Sequence, residues 1–384
     1  MRIVLQGTFA VLAFVSAVVV SAADELVQRD IFRAGVDGYS AYRIPALITT
    51  KAGTLLAFCE GRKAGKSDSG DIDLLLKRST DGGKTWSPQQ VIWDEGENTC
   101  GNPCPVIDER SGTISLLMTH NLGADTEKAI HAKTARGTRT VWSSQSSDDG
   151  KTWSRPKEIT GRTKDRSWGW YATGPGIGIQ IKQGKFAGRL VVPCDHTSDD
   201  TNDPMGSHII YSDDGGKNWK IGGVARPKMN ECQVVELADG RGTLLLDMRS
   251  YRGEKRRAHS ISTDGGLTWT EPKSHPELIE PVCQASIFRY TWTADGGRSR
   301  ILFSNPANER RRNLTVRLSY DEAKTWPALK TLHAGPAAYS SLAALRDGTI
   351  ACLYERGEKD PYERITFATF SLGWLTDGKD KLNK

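Results

Sequence analysis

An all-β fold, a six-bladed β-propeller, is what the sequence predicts, on three observations. The pattern S-x-D-x-G-x-x-W occurs four times, as STDGGKTW at 79–86, SSDDGKTW at 146–153, SDDGGKNW at 212–219 and STDGGLTW at 262–269, and a fifth copy, SYDEAKTW at 319–326, carries Ala323 in place of glycine. Successive copies lie 67, 66, 50 and 57 residues apart, intervals that each hold one four-stranded unit with loops of varying length. The 39 glycines are spread along 384 residues with no Pro/Ser/Gly-rich linker, which favours one large closed domain over two small ones.

In chain order, residues 1–23 read as a signal peptide. Arg2 is followed by no charge until Asp24, and the small residues Ser21, Ala22 and Ala23 offer a cleavage site. The alternative is an uncleaved anchor, since the uncharged run is nearly long enough to span a bilayer; no later segment is. Residues 24–384 then form a single propeller domain, expected to be secreted or periplasmic, monomeric and without stable membrane insertion. Strand-like runs precede the boxes, as in DIDLLLKR (71–78), HIIY (208–211) and NLTVRL (313–318), so each box falls at a strand-to-strand turn. The box has a local logic: the aspartate accepts backbone amides, glycine supplies a positive φ, and tryptophan packs between neighbouring sheets. After the fifth box SSLAALRDG, TIACLYERG and RITFATFSL supply three more strands, and LVQRDIFRAG near the start supplies a fourth. Both termini thus close a sixth blade, which leaves no free sheet edge.

The formal charge is +6, of which the leader carries one, and the basic residues are mixed with acids rather than gathered on one face. Nucleic acid is therefore not an expected partner. The seven cysteines (Cys59, Cys100, Cys104, Cys194, Cys232, Cys283 and Cys352) are an odd set without CxxC spacing, several inside apolar runs. They read as small buried hydrophobes, with a Cys100–Cys104 pairing left open.

Boxes of this kind set architecture only, so function must come from residues outside them. Those residues are YRIP at 42–45, FCEGR at 58–62, KSDSGDID at 66–73, GNPCPVID at 101–108, NECQVVELADG at 230–240, LLDMR at 245–249, ERRRNLTVR at 309–317, AYSSL at 338–342 and LYERG at 353–357. In this order they resemble the exo-α-sialidase family, over essentially the whole mature chain.

The resemblance implies a sialidase-like propeller that removes terminal α-linked sialic acids from glycoproteins, gangliosides and oligosaccharides, with retention and through a covalent tyrosyl intermediate. It assigns the substrate carboxylate to Arg43, Arg249 and Arg311. Planar, permanently charged guanidinium groups suit that task because they bind a carboxylate bidentately. Arg310 and Arg312 flank Arg311, and strand alternation would send them to the opposite face. Arg62 falls at the family position near the sugar O4, and Asn102 stands where many relatives carry an aspartate for the same hydroxyl. Asp68 matches the loop aspartate that acts as acid and then base, with Asp71 and Asp73 as rivals in the same stretch.

Tyr339 matches the nucleophile and Glu231 the acid paired with it, while Tyr42, Tyr171 and Tyr354 are competing tyrosines. A neutral phenol avoids the like-charge repulsion that a carboxylate would meet at a carbon already bearing one. Glu355 matches the acid that orients the first arginine, and Glu236, on the opposite strand face from Glu231, reads as structural. Trp168, Trp170 and Tyr171 either line the aglycone side or cap a blade. No metal cluster or nucleotide motif is found, so no cofactor is expected. Trans-sialidase activity and non-catalytic sialic-acid binding remain as alternatives.

Overall fold

The strands pair into consecutive antiparallel units in sequence order, gathered in four hydrogen-bonded sheets with one parallel contact between Ile72 and Thr99, and the boxes lie at turns between strands. The structure is a computed structural model that describes residues 25–382 apart from 201 and 296; the expected leader, 1–23, lies outside the described residues. The first unit comprises Ala41–Thr49, Leu55–Arg62, Ile72–Ser79 and Gln90–Trp93, and the second begins with Thr99–Ile107. The third is built around Leu190–Thr197 and Met205–Ser212, and the fourth runs from Met229–Glu236 to Lys273–Ile279. The long strand Ala328–Ala344 is shared: its first half closes the fifth unit beside Arg312–Ser319, and its second half opens the sixth beside Ile350–Arg356. Val27–Arg33 then pairs with Arg364–Phe370, so the two ends of the chain complete the sixth unit as the sequence implies.

Alternation along each strand builds the ring. In Leu244–Ser250, Leu244 and Leu246 pack with Val191 and Ile209 of the third unit, whereas Leu245 packs with Ile287 and Phe303 of the fifth. Separate buried clusters fill the seams between units one and two, two and three, five and six, and six and one. Every unit thus buries both faces against its neighbours, and the closed ring is a β-propeller.

The boxes staple these seams. Asp81 Oδ1 accepts from Ser79 Oγ at 2.8 Å and from the Thr85 amide at 3.0 Å, and Asp148, Asp214, Asp264 and Asp321 repeat the arrangement. Two consecutive residues after each aspartate adopt positive φ: Gly82 and Gly83 in the first box, Asp149 and Gly150 in the second, Glu322 and Ala323 in the fifth. The second of the two lies against the preceding unit; a Cβ on Gly83 would come within 2.1 Å of Phe367. The box tryptophan fills the same seam, as Trp86 does against Phe367 at 5.1 Å and Trp153 against Phe58 at 5.7 Å between ring centroids. All seven cysteines are buried and unpaired, so Cys100 and Cys104 are not bridged.

Candidate active site

The first strand of each unit runs inward to one pole, and four of these strands carry a β-bulge at that pole. The register breaks between Arg43 and Ala46, Gly101 and Cys104, Met229 and Cys232, and Ala337 and Ser340. A bulge bends its strand and re-aims the extra side chain, and here the bulged residues include Asn102, Glu231 and Tyr339. Ile44 and Asn102 take φ of 60° and 52°, left-handed values that a β-branched residue such as Ile44 seldom adopts. The outcome is an open cavity of about 160 Å³ whose wall holds Arg43, Arg62, Asp68, Asn102, Glu231, Arg249, Arg311 and Tyr339 together.

Tyr339 is 5% exposed and its hydroxyl donates to Glu231 Oε1. Glu231 Oε2 accepts from Arg249 Nη1 at 2.7 Å, and the same Nη1 lies 3.3 Å from the Tyr339 oxygen. Burial, and then the Glu231 carboxylate, push the Tyr339 phenol well above its ordinary pKa, against the pull of Arg249, Arg311 and Arg43. The phenol therefore keeps its proton and points it at a base.

Arg43 is fixed by Glu355, whose Oε1 accepts from Arg43 Nε at 2.8 Å and from the Ile44 amide at 2.9 Å. Glu355 Oε2 accepts from the Tyr339 amide at 3.1 Å, so one fully buried carboxylate holds both the arginine and the tyrosine backbone. Arg43 also lies over the Tyr362 ring at 4.1 Å and the Tyr339 ring at 4.9 Å. Arg311 donates to the Tyr362 hydroxyl and sits 5.6 Å from the Tyr339 ring centroid, while Arg310 and Arg312 are exposed. Among the described residues no carboxylate pairs with Arg311, leaving an uncompensated cation beside Arg43 and Arg249 where an anion would bind.

Glu60 holds the next part of the wall. Its Oε2 accepts from Arg62 Nε at 2.9 Å and Nη2 at 2.6 Å, and its Oε1 accepts from the Asn102 amide at 2.8 Å. Asn102 Oδ1 is occupied by Arg139 Nη2 at 2.5 Å and Thr119 Oγ1 at 3.0 Å. Because Arg139 can only donate, the side-chain amide is oriented, and its NH2 is the group left for a ligand. Asp68 reaches in from the loop between Leu55–Arg62 and Ile72–Ser79, 2.8 Å from Arg62 Nη2 and 3.9 Å from Arg43 Nη1. Its side chain is 54% exposed; burial raises its pKa, but Arg62 and Arg43 outweigh that and hold it below the usual carboxylate range.

The rival residues have structural roles elsewhere. Asp73 accepts from the Tyr39 hydroxyl at 2.6 Å and, with Asp71, pairs with Lys63. Tyr42 donates to the Val36 carbonyl, Tyr171 donates to Thr163 and Tyr354 accepts from Gln28. Glu236 accepts the Lys182 and Gln183 amides. The aromatic segment is split: Trp168 stacks on His196 at 3.6 Å and belongs to a blade seam, whereas Trp170 faces the cavity beneath Arg139, 4.0 Å from its ring. Sequence reasoning missed Glu60, Glu127, Arg139, Asp195, Tyr251 and Tyr362. Only Glu60 left a signal, since it precedes Arg62 by two residues and so shares its strand face. Among the described residues no group of three or more His, Cys, Asp or Glu side chains is arranged to hold a metal ion.

Residues 53–352 match the family model of the BNR repeat-like domain. The chain is 34% identical to a sialidase of Micromonospora viridifaciens over 91% of its own length but spans only 54% of that protein. It is 30% identical to an exo-alpha-sialidase of Aspergillus fumigatus, with 89% of this chain and 86% of that one covered. Among solved structures it is similar to the Hadza microbial sialidase Hz136, at 34% identity and a TM-score of 0.81 over 91% of this chain and 69% of that one.

Proposed function

The chain belongs to the sialidase family, and from that premise we propose that it is an exo-α-sialidase acting on terminal α-linked sialic acids of glycans, with retention. The observation that carries the reading is the Tyr339–Glu231 hydrogen bond set beside three arginines, one of them without a carboxylate partner. In the proposed reaction Arg43, Arg249 and Arg311 take the substrate carboxylate and set the anomeric carbon over Tyr339. The Tyr339 oxygen attacks as its proton passes to Glu231, and the aglycone oxygen leaves with a proton from Asp68. A covalent sialyl–tyrosine results. Asp68, now a base, draws a proton from water, the water attacks the same carbon, and Tyr339 leaves with the proton returned by Glu231.

Asp68 must take up a proton to act as the acid. Binding favours this, because the substrate covers an exposed carboxylate and its own carboxylate engages Arg43, one of the cations that hold Asp68 ionised. Asn102 and Arg62 supply donors to a hydroxyl further along the ring. The reading is tested by incubating the protein with a fluorogenic α-sialoside and following the first-formed sugar by NMR. Release of the α-anomer supports it, and lactose added in parallel reports any transfer to an acceptor. First release of the β-anomer, or no release, rejects it.

A further inference from the structure

The loop that carries Asp68 has an anchor that the proposed reaction leaves unused. Both ends of this loop, between Leu55–Arg62 and Ile72–Ser79, are tied: the Lys63 amide donates to the Asp71 carbonyl at 3.1 Å, and the Gly70 amide donates to Thr99 Oγ1 at 3.1 Å. Among the described residues, the hydrogen bonds and ion pairs that residues 64–69 make outside that stretch come from Asp68 and Lys66 alone. Those of Asp68, to Arg62 and Arg43, depend on its negative charge. At the step where it gives a proton to the aglycone it is a neutral acid, and a neutral carboxyl keeps only the weaker part of those contacts.

Lys66 is held independently of that charge. Its carbonyl accepts from Arg62 Nη1 at 2.6 Å, and its ammonium pairs with Asp360 Oδ2 at 2.6 Å and lies 5.7 Å from the Tyr362 ring centroid. Asp360 belongs to the loop between Ile350–Arg356 and Arg364–Phe370, which Glu363 braces by accepting the amides of Glu358, Lys359 and Asp360 at 3.1, 2.8 and 2.9 Å. Asp360 Oδ1 in turn accepts the Tyr362 amide at 2.9 Å. Tyr362 carries Arg43 on its ring and takes a hydrogen bond from Arg311 on its hydroxyl, so the acid loop and two of the site arginines are referred to one braced segment. The cations that act most on the Asp68 carboxyl are Arg62, Arg43 and Arg139, so Lys66 contributes place rather than charge.

We infer that Lys66 is a positioning residue for the acid: its pair with Asp360 keeps Asp68 over the cavity once proton uptake has loosened the contacts to Arg62 and Arg43. The inference rests on the proposed activity and gives Lys66 and Asp360 no contact with the sugar. Their side chains are 53% and 40% exposed. An ion pair so placed adds little to the stability of the fold, so variants at either position should fold. Its effect falls on the geometry of one step, where a small misplacement of the donor slows the reaction.

The test measures kcat/KM on sialyllactose, whose leaving group needs a proton, and on an aryl sialoside with a good leaving group, which needs it little. Turnover of neither by the wild type would reject the proposed activity and the inference with it. Turnover of the aryl substrate alone would leave the activity standing and overturn the inference, because no proton from Asp68 would then be in use. On sialyllactose Lys66→Ala and Asp360→Asn, the latter keeping an acceptor for the Tyr362 amide, are each expected to lose about fivefold. The double variant should lose about fivefold as well, since the two side chains act as one pair. On the aryl sialoside all three should stay within about twofold of the wild type. Lys66→Arg, which keeps the charge, should stay within about twofold on both substrates. Equal losses on the two substrates, losses that multiply in the double variant, no loss, or a Lys66→Arg variant as impaired as Lys66→Ala would overturn the inference while leaving the proposed activity in place.

Discussion

Glu231 stands between Tyr339 and Arg249, accepting the tyrosine proton on Oε1 and an Arg249 Nη1 hydrogen bond of 2.7 Å on Oε2. The carboxylate is therefore both the base for the phenol and the counter-charge of a substrate-facing arginine. Glu231→Gln preserves shape but cannot take the proton. The expected result is a fall in kcat of about 10²–10⁴-fold, the usual worth of a positioned general base, with KM changed much less. Steady-state kinetics on an aryl sialoside measure it.

Asp68 is ion-paired to Arg62, which holds its carboxyl below the ordinary carboxylate range. In the free enzyme it is thus ionised across neutral pH, and the fraction carrying the catalytic proton grows as pH falls. For a natural glycoside, whose leaving group needs that proton, kcat/KM should decline as pH rises from about 5 to about 8. Asp68→Asn should flatten this limb. It should also cost about 10²-fold or more on sialyllactose and far less on an aryl sialoside with a good leaving group. Equal losses on the two substrates would assign the acid role elsewhere.

Glu355 binds Arg43 and the amides of Ile44 and Tyr339 with no exposed surface of its own. Removing one member of such a buried pair leaves the other charge uncompensated. Glu355→Ala is expected to cost about 3 kcal/mol of stability, read by denaturant unfolding, and to raise KM because Arg43 loses its anchor.

The propeller was legible because its signal is local and repeated: a serine and an aspartate that bond within the same turn, followed by a tryptophan for the seam. The site was legible only through family motifs. Strand alternation could not have shown that Asn102, Glu231 and Tyr339 share a cavity, because each sits in a bulge where alternation breaks. Arg311 illustrates the same limit, since it precedes its strand and enters the cavity while Arg310 and Arg312 face solvent. Arg139 precedes the strand Thr140–Ser146, Asp195 lies within the strand Leu190–Thr197 and Tyr362 sits in the loop before Arg364–Phe370, positions far apart in sequence that only the fold brings together.

The boxes make a prediction separate from catalysis. Gly83 has φ of 85° and no space for a Cβ against Phe367, so Gly83→Ala is expected to cost about 3 kcal/mol from backbone strain and overpacking. Ala323 occupies the equivalent place in the fifth box at φ of 64° and is buried. Ala323→Gly would relieve strain of about 1–2 kcal/mol, but it would raise the entropy cost of ordering the backbone by about 0.5–1 kcal/mol and lose the burial of one methyl, worth about 0.8 kcal/mol. The net change should lie within about 1 kcal/mol of zero, which accounts for alanine being tolerated there. Thermal unfolding of the two variants decides it.

The central claim, that Tyr339 forms the covalent bond, is tested most directly by trapping. A fluorinated sialosyl fluoride, which slows both steps but hydrolysis more, is mixed with the enzyme, and the quenched protein is digested and analysed by mass spectrometry. The account predicts one sugar adduct, on the peptide containing Tyr339, absent from Tyr339→Phe. An adduct on Glu231 or Asp68, or turnover of the reagent by Tyr339→Phe at the wild-type rate, would contradict it.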